Sequence, residues 1–239
     1  MIPKKIHYCW FGGNPLPEDA VYCINSWKKY LPDYEIIEWN ESNFDLNMND
    51  YVKEAFEAKK WAFITDYVRL YALYEYGGIY MDTDVEVIKN LDCFLEDKGF
   101  SGFEDVDRIP TGIMAAEKGN KFIEMQLNTY NGRHFLIDGK PDLTTNVETI
   151  TNYALSKGFV LNNKLQEIDD FKIYPKDYFC PKNSQTLELN ITENTYTIHH
   201  FSGSWMKNSS KWKQKLKKIL GVKICTIIVD FINKKNGKN

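Results

Sequence analysis

Hydrophobic positions follow two different periods along the N-terminal third of the chain, which predicts strands and helices in turn. Short apolar runs at Lys4–Phe11 and Tyr34–Trp39 are bounded by turn signals, as strands are. Apolar side chains at helical spacing predict helices at Asp19–Tyr30, at about Asp50–Lys59, and in a longer segment that ends at Tyr76. This alternation predicts βαβ units, and therefore an α/β domain with a mostly parallel sheet.

The remaining pattern extends the same domain. It predicts further strands and helices at Gly99–Phe103, Gly112–Ala116, about Asn120–Tyr130, Thr145–Lys157, Phe171–Tyr174 and Thr195–Phe201. There is no internal repeat and no low-complexity linker, so residues 1–206 are predicted to form one domain.

Residues 207–239 form a tail of different character. From Lys211 to Phe231, apolar side chains fall on one helical stripe and lysines cover the other side, which predicts an amphipathic C-terminal helix. The same pattern suits a helix in an anionic membrane interface and a helix packed on the domain with its lysines in water. Both interpretations stay open at this point.

Charge is distributed unevenly between the domain and the tail. From Lys207 onward there are ten lysines against one acid, Asp230, while residues 1–206 carry 20 basic and 32 acidic residues. A uniformly basic nucleic-acid binder is therefore excluded, and no nucleic-acid partner is expected. The apolar fraction of 43% and aromatic fraction of 15% indicate a globular protein.

Five scattered cysteines without a C-x-x-C pair favour reduced thiols over zinc or a disulfide framework. The first residues have no apolar run long enough for a signal peptide, and nothing approaches the ~20 apolar residues of a membrane span. We therefore expect a cytoplasmic protein, peripheral on the inner face of the plasma membrane if the tail binds lipid.

The main group of candidate functional residues lies in WAFITDYVRLYALYEYGGIYMDTD, residues 61–84. Asp82 and Asp84 are one residue apart after an apolar strand, so both carboxylates are expected on one face, where they suit Mg²⁺ or Mn²⁺. Asp66 and Arg69 are three apart on the preceding helix and so are neighbours. An acidic metal site beside a fixed arginine suits a diphosphate. The alternative is a pair of solvated turn residues.

A second candidate is HHFSGSW, residues 199–205. Its imidazoles can complete a carboxylate metal shell, and the Ser-Gly-Ser loop can close over a diphosphate with the indole of Trp205 donating. The alternative is a core histidine pair and a buried tryptophan. Trp10, at the end of the first strand, is either core or a platform for a nucleobase. Asn146 either caps the next helix or binds a sugar hydroxyl.

These segments, in this order, resemble glycosyltransferase family 32, the DXD-containing sugar transferases of bacterial capsular polysaccharide synthesis, which are related to clostridial toxin glucosyltransferase domains. The signature A-x-x-x-D-x-x-R-x-x-x-L-x-x-x-G-G-x-Y-x-D-x-D begins at Ala62. The resemblance spans about residues 1–95 and 195–206. It implies a GT-A type, Rossmann-like fold with a mixed sheet, a nucleotide-sugar donor, Mn²⁺ or Mg²⁺, and retention of the anomeric configuration.

The resemblance also implies roles for individual residues. Trp10 would stack on the base, and Asp84 would bind the metal with help from Asp82 and His200. The resemblance also implies donor contacts for Asp66, Arg69, Tyr80, Asp82 and Trp205, and Asn146 and Ser204 are further donor-binding candidates. The predicted catalytic residues are Asp66, Arg69 and Asp84.

We therefore predict a metal-dependent retaining transferase that moves a hexose-type sugar, from a UDP-sugar in the first instance, to a growing surface polysaccharide or glycolipid. One alternative is a haloacid-dehalogenase-like phosphatase, which also uses D-x-D after a strand. That class needs the motif near the chain start and leaves Arg69 and residues 199–205 unused. The other is a non-catalytic carbohydrate- or calcium-binding module, which has no nucleotide pocket.

Overall fold

The computed structural model describes residues 1–104 and 108–203. In chain order its strands and helices are β1 (Lys5–Cys9), α1 (Glu18–Tyr30), β2 (Glu35–Trp39), α2 (Asp50–Glu57), α3 (Trp61–Tyr76), β3 (Gly78–Met81), β4 (Val85–Val87), β5 (Gly99–Gly102), β6 (Ile113–Ala116), α4 (Lys121–Asn128), β7 (Leu136–Ile137), β8 (Lys140–Pro141), α5 (Asn146–Ser156), β9 (Gln166–Ile168), β10 (Phe171–Tyr174), α6 (Lys176–Phe179) and β11 (Thr197–His199). The predicted C-terminal helix and the tail 207–239 lie outside the described residues.

Seven strands form a mixed central sheet in the order β2-β1-β3-β6-β5-β10-β9. β6 runs antiparallel to both of its neighbours and β9 runs antiparallel to β10, while the other pairs are parallel. The predicted α/β class with a mixed sheet is therefore confirmed. A two-stranded antiparallel ribbon of β4 and β11 accompanies the sheet.

Side chains of the central strands alternate between two apolar clusters, as the pleat requires. In β3, Tyr80 joins the cluster that contains α3, α4 and α5, whereas Ile79 and Met81 join the one that contains α1 and the ribbon. α1 is fixed to the ribbon because the Trp27 indole N–H donates to the carbonyl of Val85 at 2.7 Å. The ribbon thus has a defined position beside the carboxyl end of β3.

The turn between α3 and β3 requires glycine. Gly77 and Gly78 have φ of +64° and +118°, and an added Cβ would lie 2.7 Å from the amide nitrogen of Lys118 and from the carbonyl oxygen of Lys5, respectively. This turn places the end of α3 directly against the sheet. Within the described residues, no helix is long and apolar enough to cross a membrane.

Candidate active site

The acidic pair lies in the turn between β3 and β4, at the carboxyl end of the parallel strands β1 and β3. The Asp82 N–H donates to the carbonyl of Gly112 at 2.8 Å, and the Val85 N–H closes the turn on the carbonyl of Asp82 at 3.0 Å. Ligands bind at this edge in sheets of this kind. The turn, rather than a shared strand face, brings Asp82 and Asp84 together.

A histidine completes a three-residue cluster with the pair. Asp82, Asp84 and His199 each offer one ligand atom, and these atoms lie within 4.8 Å of one another. The His199 Nε2 is 3.2 Å from Asp84 Oδ1. The histidine predicted for this place is His200, whose Nε2 instead lies 2.8 Å from Glu86 Oε2. Adjacent residues at a strand end point to opposite sides, so only one of the two imidazoles reaches the pair.

Arg69 links the acidic pair to the helix before it. Its guanidinium lies 3.2 Å from Asp66 Oδ1 and 3.5 Å from Asp82 Oδ1. It also donates to the carbonyl of Thr111 at 2.6 Å and lies over the ring of Tyr80, 4.6 Å from the centroid. With its side chain only 6% exposed, Arg69 is a fixed internal cation that holds the two carboxylates.

Tyr80 and Trp10 stand at the same edge of the sheet. The buried Tyr80 hydroxyl donates to Asp82 Oδ1 at 2.8 Å, which fixes one oxygen of that carboxylate. Trp10 directly follows β1 and stays partly exposed, and its indole N–H donates to the carbonyl of Asn14 at 2.5 Å. The stacking of Trp10 on a base and the ribose contact of Tyr80 stay predictions.

Asn146 is held against Asp66. Its backbone N–H donates to Asp66 Oδ2 at 3.2 Å and its side-chain amide donates to the Asp66 carbonyl at 2.6 Å. The Tyr130 hydroxyl donates to the amide oxygen at 2.6 Å. The helix cap is Thr145, which accepts from the Glu148 N–H. These contacts give the buried Asn146 a part in orienting Asp66, and its contact with a sugar hydroxyl stays a prediction.

The loop after β11 closes over Asp84 from the other side. The Ser202 N–H donates to Asp84 Oδ2 at 2.8 Å, and the His200 N–H donates to the Asp84 carbonyl at 2.9 Å. Ser204 and Trp205, the two predicted phosphate-binding residues of this loop, lie outside the described residues.

The pKa values of the two carboxylates of the pair are shifted in opposite directions. Burial raises the pKa of Asp82 against the opposing charge of Arg69, and the Asp84 carboxylate adds to the rise. Burial acts in the same direction on Asp84, but the charge and hydrogen bond of His199 and the Ser202 N–H outweigh it and lower the pKa of Asp84 to about 2. Asp84 is therefore the more readily ionised of the two carboxylates.

Gly112, which no sequence pattern marks as part of the site, makes room for the histidine. An added Cβ at this position would lie 2.8 Å from His199 Cε1 and 2.9 Å from Nδ1, too close for ordinary contact. The pairing of β4 with β11, which brings the ring there, joins segments more than 100 residues apart. A local pattern therefore carries no signal for this contact.

The donor set fits a divalent cation. Two carboxylates and one imidazole are hard to borderline ligands, as Mn²⁺ and Mg²⁺ sites use. Asp66, Asp82 and Asp84 outnumber the two nearby cationic groups, Arg69 and His199, and burial raises the pKa of Asp66 as well as of Asp82. A bound cation would relieve this surplus of buried negative charge.

The same region is recognised by comparison with known proteins. Residues 17–101 match the family described as "Glycosyltransferase sugar-binding region containing DXD motif". Residues 17–101 therefore carry the sugar-binding region of a DXD-type glycosyltransferase. The resemblance found in the sequence is thereby confirmed over residues 17–101, and the mixed sheet agrees with the expected GT-A type of fold.

The relatives of this glycosyltransferase domain are distant. Inositol phosphoceramide mannosyltransferase 3 of Schizosaccharomyces pombe is 32% identical over 126 residues, which cover 51% of this chain and 35% of that protein. The chain thus matches only about a third of that relative's length. The solved PaToxG glycosyltransferase is 19% identical, covering 66% of this chain and 70% of that chain with a TM-score of 0.49. A glycosyltransferase involved in the glycosylation of the major capsid of PBCV-1 is 12% identical, covering 88% and 97% with a TM-score of 0.46.

Proposed function

We propose that this chain is a metal-dependent retaining glycosyltransferase that moves a hexose from a nucleotide-sugar to a glycan or glycolipid acceptor. The observation that carries the proposal is the cluster of Asp82, Asp84 and His199 joined through Arg69 to Asp66. A cation site beside a buried, fixed guanidinium is suited to a diphosphate whose negative charge increases as the sugar departs.

Each residue of the cluster has a distinct task in this proposal. Asp84, ionised and oriented by His199 and the Ser202 N–H, provides the main ligand for Mn²⁺ or Mg²⁺. When bound, the cation would neutralise charge on the departing nucleoside diphosphate. Arg69 holds Asp66 and Asp82 in place, and the buried Asp66 is the group we assign to the donor sugar.

The transfer step needs no dedicated protein base. The bond between the anomeric carbon and the diphosphate oxygen breaks, and the acceptor hydroxyl forms a new bond on the same face. Its proton passes to the departing phosphate oxygen, so atoms and charges balance and the anomeric configuration is retained. The protein's part is to hold donor and acceptor in this geometry.

The experiment is a screen of UDP-glucose, UDP-galactose and GDP-mannose for hydrolysis with Mn²⁺ or Mg²⁺, followed by proton NMR of the released sugar. The mannosyl donor is included because the fission-yeast relative is named a mannosyltransferase. We expect hydrolysis of one donor with initial retention, abolished by chelation and by Asp84→Ala. Full activity with the metal chelated would contradict the proposal. Activity with simple phosphate monoesters instead would favour the haloacid-dehalogenase alternative.

A lipid-linked acceptor is the finer form of this proposal. It draws on the relative named for inositol phosphoceramide and on the lysine-rich residues 207–239, which would attract an anionic membrane surface. We accordingly propose a cytoplasmic, peripheral location. Sedimentation with phosphatidylserine-containing vesicles should be strong for the full chain and weak for one ending at Lys207, and equal sedimentation of the two would contradict it.

A further inference from the structure

A cavity of about 290 Å³ lies beside the acidic pair, and the transfer step above does not use it. Its walls come from α1 and from the C-terminal segments around β11, namely Asp19, Tyr22, Cys23, Lys182, His200 and Ser202. Ligand pockets span roughly 300–1,000 Å³, so this cavity has the size for a single small unit rather than for a long chain.

The cavity and the metal cluster share a wall. The Ser202 and His200 N–H groups donate to Asp84, and both residues also line the cavity. Phe201 between them has φ of +55°, a left-handed conformation that bulky residues rarely adopt. Such strain is typically retained at functional sites. A ligand in the cavity would therefore lie next to the main proposed metal ligand.

Glu86 fixes two of the polar groups at this cavity. One of its oxygens lies 2.8 Å from His200 Nε2, and the other accepts from the Tyr22 hydroxyl at 2.7 Å. The Glu86 side chain is only 16% exposed, whereas Tyr22 is 58% exposed. A largely buried carboxylate thus orients an imidazole and an exposed aromatic ring, which is the arrangement of a preformed binding surface.

The chemistry of the walls selects one class of ligand. Asp19 and Glu86 offset the positive charge of Lys182, so a phosphate or another anion gains no net attraction. A lipid chain is disfavoured because the polar walls would be desolvated without partners. The carboxylates, hydroxyls and ammonium group of the walls together provide hydrogen-bond acceptors and donors. Each hydroxyl of a sugar can both donate and accept a hydrogen bond, so it can pair with either kind of group. The ring of Tyr22 suits the apolar face of a sugar.

We propose that this cavity binds a neutral monosaccharide unit and is the subsite for the acceptor glycan. The assignment to the acceptor rests on the proposed function, whereas the binding of a sugar does not. Asp66 and Arg69 do not line the cavity, whereas Ser202 does, so the sugar there would sit beside Asp84 and outside the donor contacts of Asp66 and Arg69.

The test uses the full chain with Mn²⁺ and UDP, and methyl α-D-mannopyranoside, methyl α-D-glucopyranoside and methyl β-D-galactopyranoside as probes in saturation-transfer NMR titrations. At least one glycoside should bind, and Tyr22→Phe and Glu86→Gln should each weaken its binding by about tenfold. The first removes the hydroxyl that donates to Glu86, and the second replaces the charged acceptor of that hydrogen bond by a neutral one. Because Tyr22 is exposed, its variant is expected to fold. Tyr74→Phe is the matched control, since its hydroxyl donates to a different glutamate, Glu124, at 3.1 Å.

Three results would overturn the proposal: no binding of any glycoside, unchanged affinity in both Tyr22→Phe and Glu86→Gln, or an equal loss in Tyr74→Phe. Kinetics then test the acceptor assignment. Tyr22→Phe should raise KM for the acceptor by about tenfold and leave the donor KM and acceptor-free donor hydrolysis unchanged. A raised donor KM would place the donor here and refute the assignment. If donor hydrolysis is absent in the wild type while glycosides still bind, the proposed function fails and the sugar site stands.

Discussion

Replacing Gly112 by alanine perturbs the metal cluster through a single methyl group. Gly112 has no positive φ, so alanine is compatible with its backbone, and the effect comes from the new Cβ alone. That atom would lie 2.8 Å from His199 Cε1, 2.9 Å from Nδ1 and 3.5 Å from Asp82 Oδ2. Since carbon atoms pack at ~3.5–4.0 Å, the ring must move by roughly 0.6 Å or more.

Neighbouring groups restrict the movement of the His199 ring. The ring of His199 stacks on Phe201 with centroids 4.2 Å apart, and its Nε2 is already 3.2 Å from Asp84 Oδ1. A shift of that size away from Asp84 takes the His199–Asp84 contact out of hydrogen-bond range. We expect Gly112→Ala to lower the free energy of unfolding by about 1–3 kcal/mol, the range for overpacking and for a lost charge-assisted hydrogen bond. Misoriented ligands should weaken Mn²⁺ binding by about 10–100-fold.

Urea unfolding in EDTA measures the stability change, and paramagnetic titration of Mn²⁺ measures the affinity. The control is the same substitution in a His199→Ala background, where no ring is present for the methyl group to displace. In the His199→Ala background, Gly112→Ala should change the free energy of unfolding and the Mn²⁺ affinity only slightly. Wild-type Mn²⁺ affinity in Gly112→Ala, or an equal penalty with and without the His199 ring, would refute this reasoning.

Two further predictions concern Tyr130, which donates to Asn146, and Asp142, which pairs with Arg133. Tyr130→Phe leaves the buried amide oxygen of Asn146 without its donor at 2.6 Å, so the free energy of unfolding in urea should fall by about 1–3 kcal/mol; an unchanged midpoint would show that the contact contributes nothing. Burial raises the pKa of Asp142, but the Thr144 N–H and Arg133 outweigh it and the pKa is lowered from 3.8. Its contribution to stability is therefore present above that value and is lost as pH falls through the lower, folded-state pKa. Asp142→Asn should flatten this acid-side decline in the urea midpoint, and an identical pH profile would contradict the assignment.

Local patterns account for most of the sheet edge that carries the site. The Gly-Gly turn after Tyr76 and the apolar strand before Asp82 are consecutive in the sequence, so their placement follows from chain continuity and the pleat. Asp66 and Arg69 are also a local pair, three residues apart on α3. Arg69, which contacts both Asp66 and Asp82, therefore lies beside the acidic pair, as the sequence predicted.

What the sequence did not predict depends on pairing between distant segments. The choice of His199 over His200 is set by the register of β11 on β4, in which His199 lies opposite Val85. Neither strand exceeds three residues, too short for a periodicity to reveal which histidine points inward. The attachment of Asn146 to Asp66 likewise joins α5 to α3 across 80 residues.

The most direct test of the central claim is the thermal midpoint of the full chain with UDP or GDP, with and without Mn²⁺. If Asp82, Asp84 and His199 hold a cation that binds a diphosphate, one nucleotide and Mn²⁺ together should raise the midpoint well beyond the sum of their separate effects. Asp84→Asn should abolish this joint effect. A nucleotide effect that is equally large in EDTA, or unchanged in Asp84→Asn, would contradict the claim that this cluster is the metal site of a glycosyltransferase.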